Sequence, residues 1–206
     1  MNELLNLVKR VKSIADIGLL YSKDPYDRDR YQELHEIALA LTSQVVNTPL
    51  EEVKAFYGPV TDYPTPKVDI RGMLLNDKNE VLLARESADG KWSLPGGWGD
   101  IGLTPSEVIV KEFVEETGLD VSVNRLLAVF DKKMHPHPYQ PYYVYKFVFL
   151  CELKGDLQFN KGFDMLDAAF FPIDQLPELS LDRILPSQVE VLHHNAINEV
   201  LIPIVD

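Results

Sequence analysis

Three glutamates near the end of one amphipathic stretch, Glu112, Glu115 and Glu116, have the types and spacing to do chemistry. At about 100° per residue they share one arc of a helix, beside an apolar arc of Ile109, Val110, Phe113 and Val114. Carboxylates in the last turns meet the negative end of the helix dipole, each disfavoured by roughly 0.3–1 kcal/mol, and these three also repel one another. A hard divalent cation, Mg²⁺ or Mn²⁺, offsets that cost, because it takes carboxylate oxygens and keeps positions for water and phosphate. A solvated acidic face explains such spacing when it stands alone. Here the run Pro95-Gly96-Gly97-Trp98-Gly99 precedes the helix and reads as a loop whose backbone can approach a ligand closely.

The helix that must carry these acids is well specified at both ends. Thr104, Pro105 and Glu107 have the order of an N-cap, first helical residue and capping-box acid, with Leu103 and Val108 at staple positions. Gly118 suits the left-handed residue after the last turn, with Leu119 reaching back to Val114. The spacing predicts a helix over residues 105–117.

The stretch from Gly97 to Leu119 resembles the Nudix box, G-x5-E-x7-R-E-U-x-E-E-x-G-U, where U is apolar. Gly97, Glu112, Phe113, Glu115, Glu116, Gly118 and Leu119 match, whereas Leu103 replaces the first glutamate and Lys111 the arginine. The family's arginine helps orient the metal-binding glutamates, so Lys111 keeps the charge and loses the planar fork. The resemblance implies an α/β (α+β) fold, an α/β/α sandwich with a mixed sheet, and hydrolysis of a pyrophosphate bond. It also implies Glu112, Glu115 and Glu116 as metal ligands with catalytic roles.

A helical N-terminal extension followed by TPKVDIRG, LPGGWGD, LLAVFDKK and HPHP…QPY is similar to one Nudix subgroup. Its members are labelled ADP-ribose pyrophosphatases, and some relatives act on CDP-alcohols such as CDP-choline. That likeness implies a nucleoside diphosphate linked to another moiety as substrate, split into a nucleoside monophosphate and the phosphorylated remainder. A nucleoside triphosphate pyrophosphatase is the alternative within the class, and a non-catalytic nucleotide-sensing domain the alternative outside it.

Further candidates surround this core. In the resembling family an acid on a later loop can take the proton from water, and Asp164 and Asp167, in GFDMLD before a strand, are the candidates here. Turn formation explains such aspartates equally well. Arg85 and Lys132 could bind the phosphates. His135, His137 and Tyr139 in a proline-rich loop are candidates for substrate contact, Tyr139 as a base platform or lid. Gly97 and Trp98 would line the pocket.

In chain order, residues 3–21 and about 25–46 read as amphipathic helices, the first with Leu4, Leu7, Val11, Ile14 and Gly18 on its apolar side. A third helix follows Thr48 as N-cap and stops at Gly58. Residues 1–58 thus form a small helical domain, marginal as a free-standing core and suited to a homodimer contact. The proline-punctuated GPVTDYPTPK links it to a second domain over 64–206. There, strands at 67–75, 80–85 and 92–94 precede the acidic helix. Strands at 120–133, 142–153 and 168–172 and a closing helix at 185–200 follow it.

The chain has 206 residues, 46% hydrophobic, and a formal net charge of −12, which gives no general attraction to nucleic acid or to anionic membrane. No apolar run is long enough to span a bilayer, and neither end reads as a signal peptide. The lone Cys151 excludes an internal disulfide and fits a reducing cytoplasm.

Overall fold

The computed structural model describes residues 2–160 and 165–206 of the chain. Its contacts divide into two compact units: Met1–Pro66 together with Tyr139–Tyr143, and Lys67–Pro138 together with Val144–Asp206. Among the described residues no helix is long and apolar enough to cross a membrane.

The first unit holds three helices, α1 (Asn2–Tyr21), α2 (Pro25–Val46) and α3 (Leu50–Tyr57). Asp24 caps α2 by accepting from the Asp27 N–H at 3.1 Å, with Pro25 in the first turn. Thr48, expected to cap α3, does not; Pro49 takes that position without a side-chain bond. The inward face of α1 also departs from expectation. Leu5, Val8, Ala15 and Leu19 are buried, together with Lys12 and Asp16, whereas Leu4, Leu7 and Ile14 are exposed.

Lys12 bonds Asp16 at 2.7 Å, and the other Asp16 oxygen meets His35 Nδ1 of α2 at 2.7 Å. Buried charge is tolerated when it is paired in this way, which lets a lysine sit in the packed stripe. Tyr139–Tyr143 joins this unit through Lys9, which donates to the carbonyls of Gln140 and Tyr142 at 3.2 and 3.3 Å. Tyr143 and Tyr57 donate to the Asn6 and Pro141 carbonyls, and Phe56 stacks on Tyr142.

The second unit is built on two sheets. One has the order β4-β1-β6-β5-β8, from β1 (Lys67–Leu74), β4 (Gly96–Trp98), β5 (Val121–Asp131), β6 (Val144–Leu153) and β8 (Ile204–Val205). Pairs β1–β6 and β5–β8 are parallel, β1–β4 and β5–β6 antiparallel, so this is the expected mixed sheet. The other is antiparallel, β3-β2-β7, from β2 (Val81–Glu86), β3 (Trp92–Ser93) and β7 (Met165–Phe171). Helix α4 (Pro105–Thr117) follows β4, and α5 (Pro186–Ile197) follows β7.

One apolar cluster includes Met73, Leu83, Leu94, Phe130, Val148 and Leu192; the other gathers Ile70, Leu74, Val108, Ile109 and Phe113 beneath α4. Phe113 fixes the closeness of α4 to β1. A Cβ at Gly72 would stand 2.4 Å from its ring, so only glycine permits this approach. The buried side of α4 is Val108, Ile109, Phe113 and Thr117, whereas Val114, expected inside, is half exposed. The glycine run is also more ordered than a loop: Gly96–Trp98 pairs with β1 as a strand.

Candidate active site

The acidic helix begins and ends as its sequence dictates. Thr104 and Glu107 form a reciprocal capping box, with Thr104 N–H donating to Glu107 Oε2 at 2.7 Å and Glu107 N–H to Thr104 Oγ1 at 3.3 Å. At the other end Gly118 takes a φ of 76°, and its N–H donates to the Val114 carbonyl at 3.0 Å. Helix α4 is thus fixed in length and phase before any ligand arrives.

What faces it is β4. Arg71 pairs with Gly96, Ile70 with Gly97, and Asp69 with Trp98 across the β1–β4 ladder. Gly96 has a φ of 137°, and a Cβ there would lie 2.1 Å from the Ile70 carbonyl oxygen, so no other residue fits. Its N–H donates to Glu116 Oε2 at 3.1 Å. At Gly97 a Cβ would lie 2.6 Å from Glu112 Oε1. Glu112 and Glu116 therefore converge on the two glycines. Glu115 points elsewhere and pairs at 3.0 Å with Lys111, which also holds Asp100 at 3.0 Å.

The electrostatics follow from this enclosure. Burial pushes the Glu116 carboxyl up to about 8; Arg71 opposes the rise, while Glu112 and Glu86 add to it. Burial also raises Glu112, again against Arg71. Arg71 is itself buried in a fixed setting. Its Nε donates to Asp69 Oδ1 at 2.9 Å, its Nη1 to the Leu94 carbonyl at 3.1 Å, and Glu86 lies 3.8 Å away.

Asp69 is shared with Lys146 of β6. Burial works to raise Asp69, but Arg71 and then Lys146 outweigh it and hold the carboxyl below its usual range. Glu86 continues the chain to Arg183 at 3.0 Å, and Arg183 reaches Asp89 at 3.2 Å. Arg85 and Glu86 of β2 pair with Asp167 and Met165, so Leu166 is the extra residue of a bulge in β7, a device that bends the pairing beside a site.

Sequence reasoning missed Asp69, Arg71, Glu86 and Lys146. The signal was present in KVDIRGML and VYKFVFLCEL, where charged residues interrupt apolar strand patterns and must be paired if buried.

The remaining candidates are dispersed. Arg85 is exposed and donates to the Gly90 carbonyl at 2.8 Å, closing its own hairpin. Trp98 is exposed, with Lys67 Nζ 5.4 Å above its ring. Lys132 is buried, donates to the Asp182 carbonyl at 2.6 Å, and is lowered to about 8 by burial and then by Lys146.

His135 Nε2 meets Asp206 Oδ2 at 2.8 Å. His137 Nδ1 donates to the Leu181 carbonyl at 2.7 Å, which leaves Nε2 as a buried acceptor with no partner among the described residues. Burial depresses this ring to about 4, keeping it neutral. Tyr139 is exposed and belongs to the helical unit. Asp167 is exposed on β7 opposite Arg85, and Asp164 lies outside the described residues.

A divalent ion can be tested against this arrangement. Among the described residues no three His, Cys, Asp or Glu side chains stand close enough to form a ready metal cage. Mg²⁺, however, commonly takes only one or two carboxylates from the protein and fills its shell with water and substrate phosphate. Glu112 and Glu116 offer two convergent carboxyls, all-oxygen donors, both raised by burial. The residues present fit such an ion.

The chain is similar to known proteins along nearly its whole length. A family model described as a UDP-X-like, N-terminal oligomerisation domain matches residues 2–57, and the NUDIX domain model matches residues 65–194. The Bacillus subtilis (strain 168) protein named "Putative ADP-ribose pyrophosphatase YjhB" is 44% identical over 91% of this chain and 89% of its own. The crystal structure of a UDP-X diphosphatase is 37% identical, covers 99% of this chain and 98% of that one, and superposes with a TM-score of 0.64. That of an ADP-ribose pyrophosphatase from Streptococcus suis is 34% identical over 69% of this chain and all of that one, with a TM-score of 0.62. With an acidic helix laid on a glycine strand, and with relatives of this kind along nearly its whole length, the chain belongs to the Nudix family of hydrolases.

Proposed function

We propose that this Nudix hydrolase splits the pyrophosphate bond of a nucleoside diphosphate carrying a second moiety, in a reaction that depends on Mg²⁺ or Mn²⁺. Water adds to one phosphorus, the bridging P–O bond breaks, and a nucleoside monophosphate and the phosphorylated remainder leave. The observation that carries this reading is the convergence of Glu112 and Glu116 on Gly97 and Gly96. These two carboxylates would hold the ion, with Glu115 joining if it leaves Lys111. The bound ion supplies neutralising charge to the phosphoryl oxygens and acidifies the attacking water.

The protein's own groups do the positioning. Gly96 N–H orients Glu116, and Arg71 balances the two enclosed carboxylates from the β1 side. The relatives support a substrate of the ADP-ribose or UDP-linked kind, and CDP-alcohols such as CDP-choline remain in the same chemical class. The matched N-terminal family supports a homo-oligomer joined through the helical unit. A reducing cytoplasm suits the single Cys151, which is buried and whose thiol is pushed up to about 12 by burial.

The test is release of nucleoside monophosphate from ADP-ribose, UDP-linked sugars, CDP-choline and nucleoside triphosphates, with and without chelator. Metal-dependent turnover of a diphosphate-linked compound supports the reading. Pyrophosphate release from triphosphates alone, or no turnover of any compound, would overturn it.

A further inference from the structure

The guanidinium of Arg71 is fixed through two of its nitrogens. Nε donates to Asp69 Oδ1 at 2.9 Å, and Nη1 to the Leu94 carbonyl at 3.1 Å and to Ser93 Oγ at 3.4 Å. Nη2 makes no hydrogen bond to any described residue. Among the described residues, the only side-chain polar atoms sealed from solvent without a partner are His137 Nε2 and Gln188 Nε2. Nη2 is therefore open to solvent, although Arg71 as a whole is only 6% exposed. Its neighbour across the ladder is Gly96, which has no side chain to cover it. Because a guanidinium is planar, fixing Nε and Nη1 also fixes where the Nη2 protons point.

The positive charge of Arg71 is not used up by its neighbours. The carboxyls that act on it are Asp69, Glu86, Glu112 and Glu116. Asp69 is shared with Lys146, and Glu86, 3.8 Å from Arg71, stands nearer to Arg183 at 3.0 Å. Glu112 and Glu116 are the two carboxyls that the proposed reaction gives to a divalent ion. Each of the four thus has a second cation, and with the glutamates so occupied Arg71 carries charge in surplus beside the site. An enclosed charge of this kind needs a partner of opposite sign. A diphosphate supplies one, since its non-bridging oxygens are charged acceptors that match an arginine edge.

We propose that Arg71 is a catalytic residue of this hydrolase, its open Nη2 donating to a non-bridging oxygen of the substrate's diphosphate. The inference rests on the pyrophosphate-splitting reading and adds to it a donor from the protein itself. A donor held in place beforehand by Asp69 and the Leu94 carbonyl meets the charge that builds on the phosphoryl oxygens as the bridging bond breaks, at no cost of reorganisation.

The test uses the full chain and the diphosphate-linked compound that the wild type hydrolyses. Arg71→Lys keeps the charge beside Asp69 and loses the fork, so a residue that only balanced carboxylates would be replaced without loss. Here kcat should fall by roughly 10²-fold, while Mn²⁺ affinity, followed by electron spin resonance, holds. A kcat equal to that of the wild type, or a loss of Mn²⁺ affinity that matches the loss of rate, would overturn the role. A second readout needs no variant. In the wild type, imidodiphosphate with Mg²⁺ should shift the Nη2 resonances of Arg71 in NMR of the arginine side chains, and unmoved resonances would overturn the contact even if Arg71→Lys does not fold. Absence of wild-type turnover on every diphosphate-linked compound would overturn the pyrophosphate reading and this role with it, whereas full turnover by Arg71→Lys would overturn the role alone.

Discussion

The backbone N–H of Gly96 donates to Glu116 Oε2 at 3.1 Å, so strand β4 and the acidic face of α4 hold one another directly. The neighbouring pair does the same by contact, because Gly97 leaves the space that Glu112 Oε1 occupies. Two consecutive glycines therefore have different duties, and substitution separates them. Alanine at Gly96 meets backbone at 2.1 Å with φ at 137°, so Gly96→Ala should lower stability by at least about 2 kcal/mol. Alanine at Gly97 meets only the end of a flexible side chain, so Gly97→Ala should melt within a few degrees of the wild type. Its Glu112 is displaced, and its turnover should fall at least about tenfold. Thermal melts and initial rates on both variants check the split; equal effects of both substitutions on both readouts would refute it.

The glutamates should not be equivalent. Glu116→Gln keeps the shape but removes the charge beside Gly96, and should reduce kcat by roughly 10²–10⁴-fold. Glu115→Gln should cost less, because its carboxylate is spent on Lys111 at the surface. Steady-state rates at saturating Mg²⁺, with Mn²⁺ binding followed by electron spin resonance, distinguish the two. A larger loss for Glu115→Gln would mean that this side chain leaves Lys111 for the ion.

Stability without metal should fall as pH rises. Glu116 titrates at about 8 in the folded chain against an ordinary 4.5, so between these values the folded chain keeps a proton that the unfolded chain has lost. The stabilisation is complete below 4.5 and is gone by about 8. In chelator, melting temperatures between pH 5 and 8.5 should decline for the wild type and decline less for Glu116→Gln. Added Mg²⁺ should flatten the wild-type slope. Identical slopes for the two proteins in chelator would show that Glu116 is not the titrating group.

Asp69 and Lys146 join β1 to β6 deep in the second unit, at positions only 5% and 0% exposed. Breaking a buried pair leaves an uncompensated charge and costs roughly 3–5 kcal/mol, or on the order of 10 °C in a domain of this size. Lys146→Met should show that loss, and Asp69→Asn/Lys146→Met should recover part of it. A double variant no more stable than Lys146→Met would mean the cost lies in packing and not in the stranded charge.

Much of the architecture was legible because the rules that set it are local. Thr104, Pro105, Glu107 and Gly118 bound α4 by bonds that span three or four residues, and the helix runs over the interval those residues define. Strand patterns located β1, β2, β5 and β6 for the same reason. The run Gly96–Trp98 did not read as a strand, because glycine lacks the side-chain pattern and its pairing with β1 is made 25 residues away. On α1 the sequence offers two stripes of equal spacing. The one with a lysine in it is the buried one, since Asp16 pairs with Lys12 one turn along and is itself paired by His35, which only the folded helix pair brings up.

The sequence by itself determined the acidic helix, its phase, and the presence beside it of glycines that backbone and ligand can approach. Only the tertiary structure decided which acids come together. Glu112, Glu115 and Glu116 share one helical arc, yet β4 takes up the first and last while Lys111 draws off the middle one. Tertiary structure alone also brought in Arg71 and Glu86, from two strands distant in sequence from that helix. Local patterns specify elements because short-range hydrogen bonds and sterics act within a turn. The balance of charge in an enclosed site is a sum over neighbours that only the completed packing defines.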